Sequence, residues 1–193
     1  MPAPPADGAV VAALVADLDL GFVELFNTHR QAVFSTALRV SGRWAEAQDL
    51  TAETFLRAYR ALTGYDKARI STLQPRPWLL TIALNLWRNS QRDAGRRPAT
   101  TELENAPEPT DQHQDVEQSV LRNETARELA ELLGQLPEVQ RIAVVLRHVV
   151  DLPIAEIAEV LGRPEGTVKS HISRGLRRLR ELQPAPDTTG GLR

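Results

Sequence analysis

The sequence predicts an all-α protein made of two small helical domains, a three-helix bundle and a four-helix domain with a helix-turn-helix, joined by an acidic flexible linker. Three observations predict it. Apolar residues recur near the helical period of about 3.6 wherever the chain shows a period at all. Hydrophobic residues make up 42% of the chain but aromatics only 5%, which suits helix bundles better than sheets stacked on aromatic cores. The net charge of −2 is also divided unevenly along the chain.

From Leu20 to Pro98 twelve Lys/Arg stand against six Asp/Glu, a local +6. From Ala99 to Glu124 one Arg stands against seven acids, a local −6, and from Arg163 to Arg180 there are six Lys/Arg and one acid, Glu165. Two basic blocks around an acidic strip point to polyanion contact at two separate places. The absence of cysteine excludes disulfides and thiolate metal sites. No apolar run approaches the roughly 18 residues of a membrane span. The start, "MPAPPADGAVVAALVADLDLG", carries Asp7, Asp17 and Asp19 in place of the basic segment of a signal peptide. The expectation is a soluble, cytoplasmic protein with no membrane insertion.

Residues 1–20 are taken as an N-terminal extension and 21–98 as the first domain. Phe22, Leu25, Phe26, Val33, Ala37 and Leu38 give an amphipathic helix from about Gly21 to Val40, ending at Ser41-Gly42. A second helix runs from about Ala45 to Leu62 with Leu50, Thr54, Phe55, Ala58 and Leu62 inward. The polar, two-proline stretch "GYDKARISTLQPRP" reads as a loop. After Pro77, a favoured first-turn residue, a third helix carries Leu79, Ile82, Ala83 and Leu86, with Trp78 opening its apolar face. Residues 99–119 lack any apolar period and form the linker. The second domain, 120–183, resumes at Leu129, Leu132, Leu133 and Leu136, breaks at Pro137, and continues through Ile142, Val145, Leu146 and Val149 to Asp151-Leu152-Pro153. Residues 184–193 form a tail.

The stretch "IAEIAEVLGRPEGTVKSHISRGLRRLR" holds the sharpest signal. Ile154, Ile157, Ala158 and Leu161 make one helix face, Gly162 permits a tight turn, and Pro164 restarts the chain. In the next helix Val168, Ile172, Leu176 and Leu179 share one stripe roughly 80° wide. Opposite lie Thr167, Ser170, Arg174 and Arg177, with Lys169, His171, Ser173 and Arg178 on the flanks. A helix clamped by an apolar seam, with hydroxyls and guanidiniums on its far face, is what recognition in a DNA major groove requires. A helical hairpin with a solvated basic face is the blander reading of the same charges.

This stretch resembles region 4 of the bacterial RNA polymerase sigma factors of the extracytoplasmic-function (ECF) class. "LGQLPEVQRIAVVLRHVVDL" resembles the helices preceding it there, "AEAQDLTAETFLRAYRAL" the clamp-docking helix of region 2, and "PWLLTIALNLWRNSQRDAGRR" the segment that melts and reads the minus-10 element. The resemblance covers about Gly21 to Leu182 and implies two partners, core RNA polymerase (its beta-prime clamp and beta flap) and promoter DNA. A third, common in the family, is an anti-sigma factor. By the same resemblance Asp49, Glu53 and Arg57 face the polymerase, Asn85, Arg88, Arg92, Arg96 and Arg97 serve minus-10 DNA, and the recognition-helix residues above serve minus-35 DNA. By the resemblance the acidic linker would thread toward the active centre, and a solvated tether is the equal alternative reading of the same charge. Some positions depart from the family pattern: Ala52 for a frequent Gln, Leu84 for a frequent Arg, His171 for Arg and Gly175 for Ala. The loop before Trp78 is long and lacks the usual Gly-Ser-Phe. Gly175 is expected to cost its helix up to about 1 kcal/mol against Ala.

The expected function is promoter recognition and initiation without covalent chemistry. A stand-alone helix-turn-helix regulator is the rival, and it leaves "DLTAETF" and "PWLLTIALN" unexplained. His29, His113, His148 and His171 show no metal-ligand spacing, and no nucleophile motif or Gly-rich phosphate loop is present. No enzyme activity, catalytic residue, cofactor or metal is expected.

Overall fold

The structure, a computed structural model, describes residues 5–94 and 129–182, and every regular element among them is helical. The acidic linker, the tail, and Arg96 and Arg97 lie outside the described residues.

The first module contains α1 (Pro5–Ala16), α2 (Leu18–Ser41), α3 (Trp44–Leu62), α4 (Lys67–Ser71) and α5 (Pro75–Ala94). The three helices expected from the periodicity are α2, α3 and α5, and two more join them. The extension folds as α1, and the supposed loop contains α4. Each helix has a local reason to start or stop. Asp17 caps α2 by accepting from the Leu20 amide at 2.9 Å, and Gly42, at φ 72°, ends it by donating to the Leu38 carbonyl. Asp66 caps α4 by accepting from the Arg69 amide at 2.7 Å. α5 begins at Pro75, two residues earlier than expected, because neither proline needs an amide partner in a first turn.

α1 folds back along α2 across the single residue Asp17, and the approach is close. A Cβ on Gly21 would fall 2.4 Å from the Leu14 amide nitrogen, so only glycine fits at that crossing. Val10 and Leu14 of α1 then join Leu25, Val33, Phe55, Ala58, Leu62, Ile70, Leu79 and Ala83 in the core of this module. Phe22 packs edge-on against Phe55 and Tyr59, and Phe26 against Phe55, which locks α2 to α3. Tyr59 Oη donates to Asp19 Oδ1 at 2.7 Å across the same seam.

The second module contains a helical stretch over 129–134 (α6), α7 (Glu138–His148), α8 (Ile154–Leu161) and α9 (Glu165–Leu182). His148 is the last residue of α7. The α8–α9 turn is built as the sequence implies. Gly162 sits at φ 59° and donates to the carbonyls of Ala158 and Glu159. The Pro164 carbonyl accepts from the amides of Thr167 and Val168 at 2.9 and 3.1 Å.

The two modules share a core. One buried cluster contains Ala37, Val40, Ala47, Leu50, Leu80, Leu84 and Trp87 from the first and Ile142, Ala143, Leu146, Leu152, Ile157 and Val160 from the second. Helix α7 lies on α2, and α8 lies on α5. The periodicity predicts one apolar face on α5, whereas the helix has two.

Candidate polymerase and nucleic-acid interfaces

Three surfaces gather the residues singled out in the sequence. The first is the outer face of α3. Asp49 is exposed, and Glu53 lies one turn on and pairs with Arg57, whose Nε is 2.7 Å from Glu53 Oε1. That pair is an i,i+4 surface contact worth about 0.2–0.5 kcal/mol, so it leaves both side chains available to a partner. Leu56 stands 44% exposed on the same helix, and Val23 of the adjoining α2 is 56% exposed. Neither was singled out in the sequence, because a lone leucine on a charged face carries no periodic signal.

The second surface is α5 with α4. Asn85 and Arg92 are exposed. Arg88 is held: its side chain is only 25% exposed and its Nε lies 3.1 Å from Glu138 Oε1 at the start of α7. Beside it the Arg141 guanidinium sits 5.3 Å from the Trp87 ring centre. Burial pushes Arg141 below the usual arginine range, with the Glu138 carboxylate pulling the other way. At the other end of α5, Arg69, Thr72, Gln74, Trp78 and Thr81 line an open cavity of about 350 Å³, with Glu159 and Val160 of α8 on its far side. Trp78, expected in the core, is half-buried. One side packs against the core of the first module, and the ring also walls this cavity. The Arg69 guanidinium lies 3.7 Å from the Tyr65 ring centre, and Tyr65 lies 6.2 Å from Trp78 with the rings tilted at 52°, forming a cationic-aromatic edge.

The third surface is α9. Val168, Ile172 and Gly175 are buried, while Lys169, Ser170, Ser173, Arg174, Arg177 and Arg178 are exposed. Ser170 Oγ donates to the Gly166 carbonyl at 2.9 Å. Lys169 lies 3.7 Å from Glu165, and Arg177 lies 3.9 Å from Glu181. Thr167 and His171 are half-buried, and His171 Nδ1 is enclosed without a hydrogen-bond partner. The ring of His171 is therefore turned partly into the fold, unlike the open flank position expected of it. Gly175 also departs from expectation. It is buried where α9 crosses α7, and a Cβ there would meet Val144 Cγ2 at 2.7 Å.

Among the described residues no cluster of His, Asp or Glu has the grouping of a metal site. No described helix is long and apolar enough to cross a membrane.

Comparison with known proteins agrees with this geometry. The sigma-70 region 2 family matches residues 25–97, and the sigma-70 region 4 family matches residues 126–179. The chain is 34% identical over 162 residues to the ECF RNA polymerase sigma factor SigE of Mycolicibacterium smegmatis, covering 82% of this chain and 60% of that longer relative. It is 32% identical to the ECF RNA polymerase sigma factor BldN of Streptomyces coelicolor, covering 95% of this chain and 69% of that protein. The structure of CnrH in complex with the cytosolic domain of CnrY superposes with a TM-score of 0.66 at 25% identity, covering 92% of this chain and 96% of that one. The chain belongs to the ECF RNA polymerase sigma factors, with sigma-70 region 2 in the α2–α5 module and region 4 in the α6–α9 module.

Proposed function

We propose that the chain directs core RNA polymerase to a particular class of promoters and starts transcription there. Region 2 docks on the beta-prime clamp through Asp49, Glu53 and Arg57, with Leu56 and Val23 supplying apolar contact beside the charges. Asn85, Arg88 and Arg92, with Arg96 and Arg97 beyond the described residues, engage opened minus-10 DNA, and the cavity beside Trp78 receives an unstacked base. Region 4, anchored to the beta flap, lays α9 in the major groove of the minus-35 element. There Lys169, Ser170, Ser173, Arg174, Arg177 and Arg178 reach phosphates and base edges, and Thr167 and His171 contribute at the margin of the contact.

The observation that carries this reading is the pairing of two faces in one chain. The exposed stretch of α9 carries hydroxyls and guanidiniums, and α3 carries an acidic face with an exposed leucine. A stand-alone regulator needs the first and has no use for the second. Phosphate contacts supply most of the affinity and base-edge contacts the selectivity, and core polymerase raises the effective concentration of one module once the other is bound. Nothing in this scheme requires covalent chemistry, a cofactor or a metal. The fold accepts protein partners, as CnrH does with the cytosolic domain of CnrY, and an anti-sigma factor completes the proposed partner set.

Run-off transcription with core polymerase on fragmented genomic DNA tests the reading, comparing wild type with Asp49→Arg/Glu53→Arg. Start sites that appear with the wild type and vanish with the double variant are expected. Sequence-selective DNA binding by the free protein, with no start sites in the presence of polymerase, would overturn it.

A further inference from the structure

We propose, resting on the reading of the Trp78 cavity given above, that α1 is the strut of that cavity. Val10 and Leu14 are positioning residues: they fix α4 and the start of α5, and with them the choice of base at one position of the minus-10 element.

Helix α4 cannot hold itself in place. Five residues are too few for a helix to persist in water by its own hydrogen bonds. Among the described residues its cap and turn bonds stay local, from the Arg69 amide to Asp66, from the Leu73 amide to the Ile70 carbonyl and from Thr72 Oγ1 to the Arg69 carbonyl. What ties it to the module is apolar. Ile70 is 4% exposed and shares one buried cluster with Val10 and Leu14 of α1 and Leu79 of α5, and α1 packs on α4. Tyr65, Leu73 and Trp78 lie against the same cluster, so two walls of the cavity and the ring beneath Arg69 stand on it.

α1 also reaches the start of α5. Its place on α2 is set at Leu14 by the Gly21 crossing and at Asp7 by the buried contact with His29, 3.4 Å from Oδ1 to Nε2. The Arg76 charge acts on both Asp7 and His29, and Arg76 stands between the buried Pro75 and Pro77 in the first turn of α5, two residues before Trp78. The cavity is therefore gripped from two sides, by apolar contact at α4 and by charge at the start of α5. The outward residues of α1, Gly8, Ala9, Ala12 and Ala16, offer a partner neither charge nor apolar bulk, so α1 acts inward. A site that reads a base needs its walls held to within about 0.5 Å, and truncating Val10 and Leu14 leaves space into which α4 can settle.

Val10→Ala/Leu14→Ala in the full-length chain tests this. Holoenzyme is bound to a promoter found by run-off transcription, melted across the minus-10 element, with each of the four bases placed in turn at each minus-10 position. Wild type is expected to prefer one base by about tenfold or more, the usual worth of one recognised base, at a position where Trp78→Ala removes the preference. The α1 variant should lose most of that preference at the same position, keep the preferences elsewhere and bind core polymerase as wild type does, while Leu14→Met should retain the full profile. Ile70→Ala cuts the same contact from the α4 side and should give the same loss, which keeps the test decisive should the double variant not fold. An equal loss for every base at every position would mean that α1 serves stability alone and overturns the strut, as would unchanged preferences. If Trp78→Ala leaves every wild-type preference intact, the cavity reading itself fails and the strut falls with it.

Discussion

Gly175 and Val144 touch so closely that the Cβ of any other residue at 175 would stand 2.7 Å from Val144 Cγ2. Helix propensity favours alanine at this position by up to about 1 kcal/mol, and the crossing of α7 and α9 opposes it. Val144 is 5% exposed in the small cluster with Leu133, Leu136 and Val145, and a β-branched side chain in a helix has one strongly preferred rotamer, so it cannot turn aside. Gly175→Ala is expected to destabilise region 4 by about 1–3 kcal/mol, the usual cost of overpacking. Thermal unfolding of Gly175→Ala, Val144→Ala and the double variant checks it. Coupling between the two sites is expected, with the double variant more stable than the sum of the single effects implies. Stabilisation by Gly175→Ala alone would show that the crossing relaxes freely.

On α3 the charges and the exposed leucine make separable contributions. Asp49→Arg/Glu53→Arg breaks only one surface pair, so the unfolding midpoint should move little, by the equivalent of about 0.5 kcal/mol. Leu56→Asp removes apolar surface that already faces solvent and should be equally mild for the free protein. Both are expected to weaken binding to core polymerase by at least about tenfold, about 1.4 kcal/mol, because burial at an interface restores the value of each group. Equilibrium binding to fluorescently labelled core enzyme reads this. A Leu56→Asp variant that binds like wild type would leave the charges as the whole contact.

The parts legible in sequence share one physical trait, a single buried stripe on a polar helix. α2, α3 and α9 have it, and their boundaries follow within a few residues. α1 does not. Its run Ala9, Val10, Val11, Ala12, Ala13, Leu14 and Val15 is apolar on every side, so no period singled out Val10 and Leu14 as the buried pair. α4 is too short to show a period, and its existence depends on the Asp66 cap and the burial of Ile70. α5 hid its second face for the opposite reason. Leu80, Leu84, Leu86 and Trp87 adjoin Leu79 and Ala83, and two stripes side by side read as one hydrophobic helix. Leu84, which stands where the family often has arginine, is explained by that second face. The basic side of α9 was legible because its charges are segregated, whereas the hold of Glu138 on Arg88 joins residues fifty apart and leaves no local trace.

Acid should loosen the docking of α1. His29 of α2 lies buried with its Nε2 3.4 Å from Asp7 Oδ1 of α1, and burial first, then the Arg76 charge, pushes its pKa from 6.5 down to about 4. The unfolded chain takes up the proton at about 6.5 and the folded one resists until about 4, so the contribution is intact above 6.5 and is lost as pH falls through that window. At about 1.4 kcal/mol per pH unit the full loss is on the order of 3–4 kcal/mol. Asp7 runs the other way. Burial raises its pKa, with Arg76 opposing, so its contribution is present below its ordinary value of 3.8 and disappears as pH climbs through the raised one. Asp7→Asn removes that opposing titration. In this background the melting temperature should fall steadily from pH 6.5 to 4, and His29→Gln should flatten the decline. A flat profile with His29 in place would mean that His29 is protonated in the fold.

On α9 the free and the paired cations should behave differently. Arg174 is exposed at the centre of the face and has no ion pair among the described residues, whereas Lys169 at the flank is tied to Glu165 at 3.7 Å. In the proposed minus-35 contact, Arg174 is the group free to form a bidentate contact with a guanine edge, and Lys169 acts on phosphate as a point charge. Arg174→Ala should therefore cost about 1–3 kcal/mol at one position of the minus-35 element and relax selection there, leaving other positions unchanged. Lys169→Ala should weaken all sequences alike and reduce the slope of log affinity against log salt by about 1. Binding of holoenzyme to a set of single-substitution minus-35 duplexes at several salt concentrations separates the two outcomes. If Arg174→Ala lowers affinity uniformly, the guanidinium holds backbone, and the base reading passes to Ser170 and Ser173 beside it.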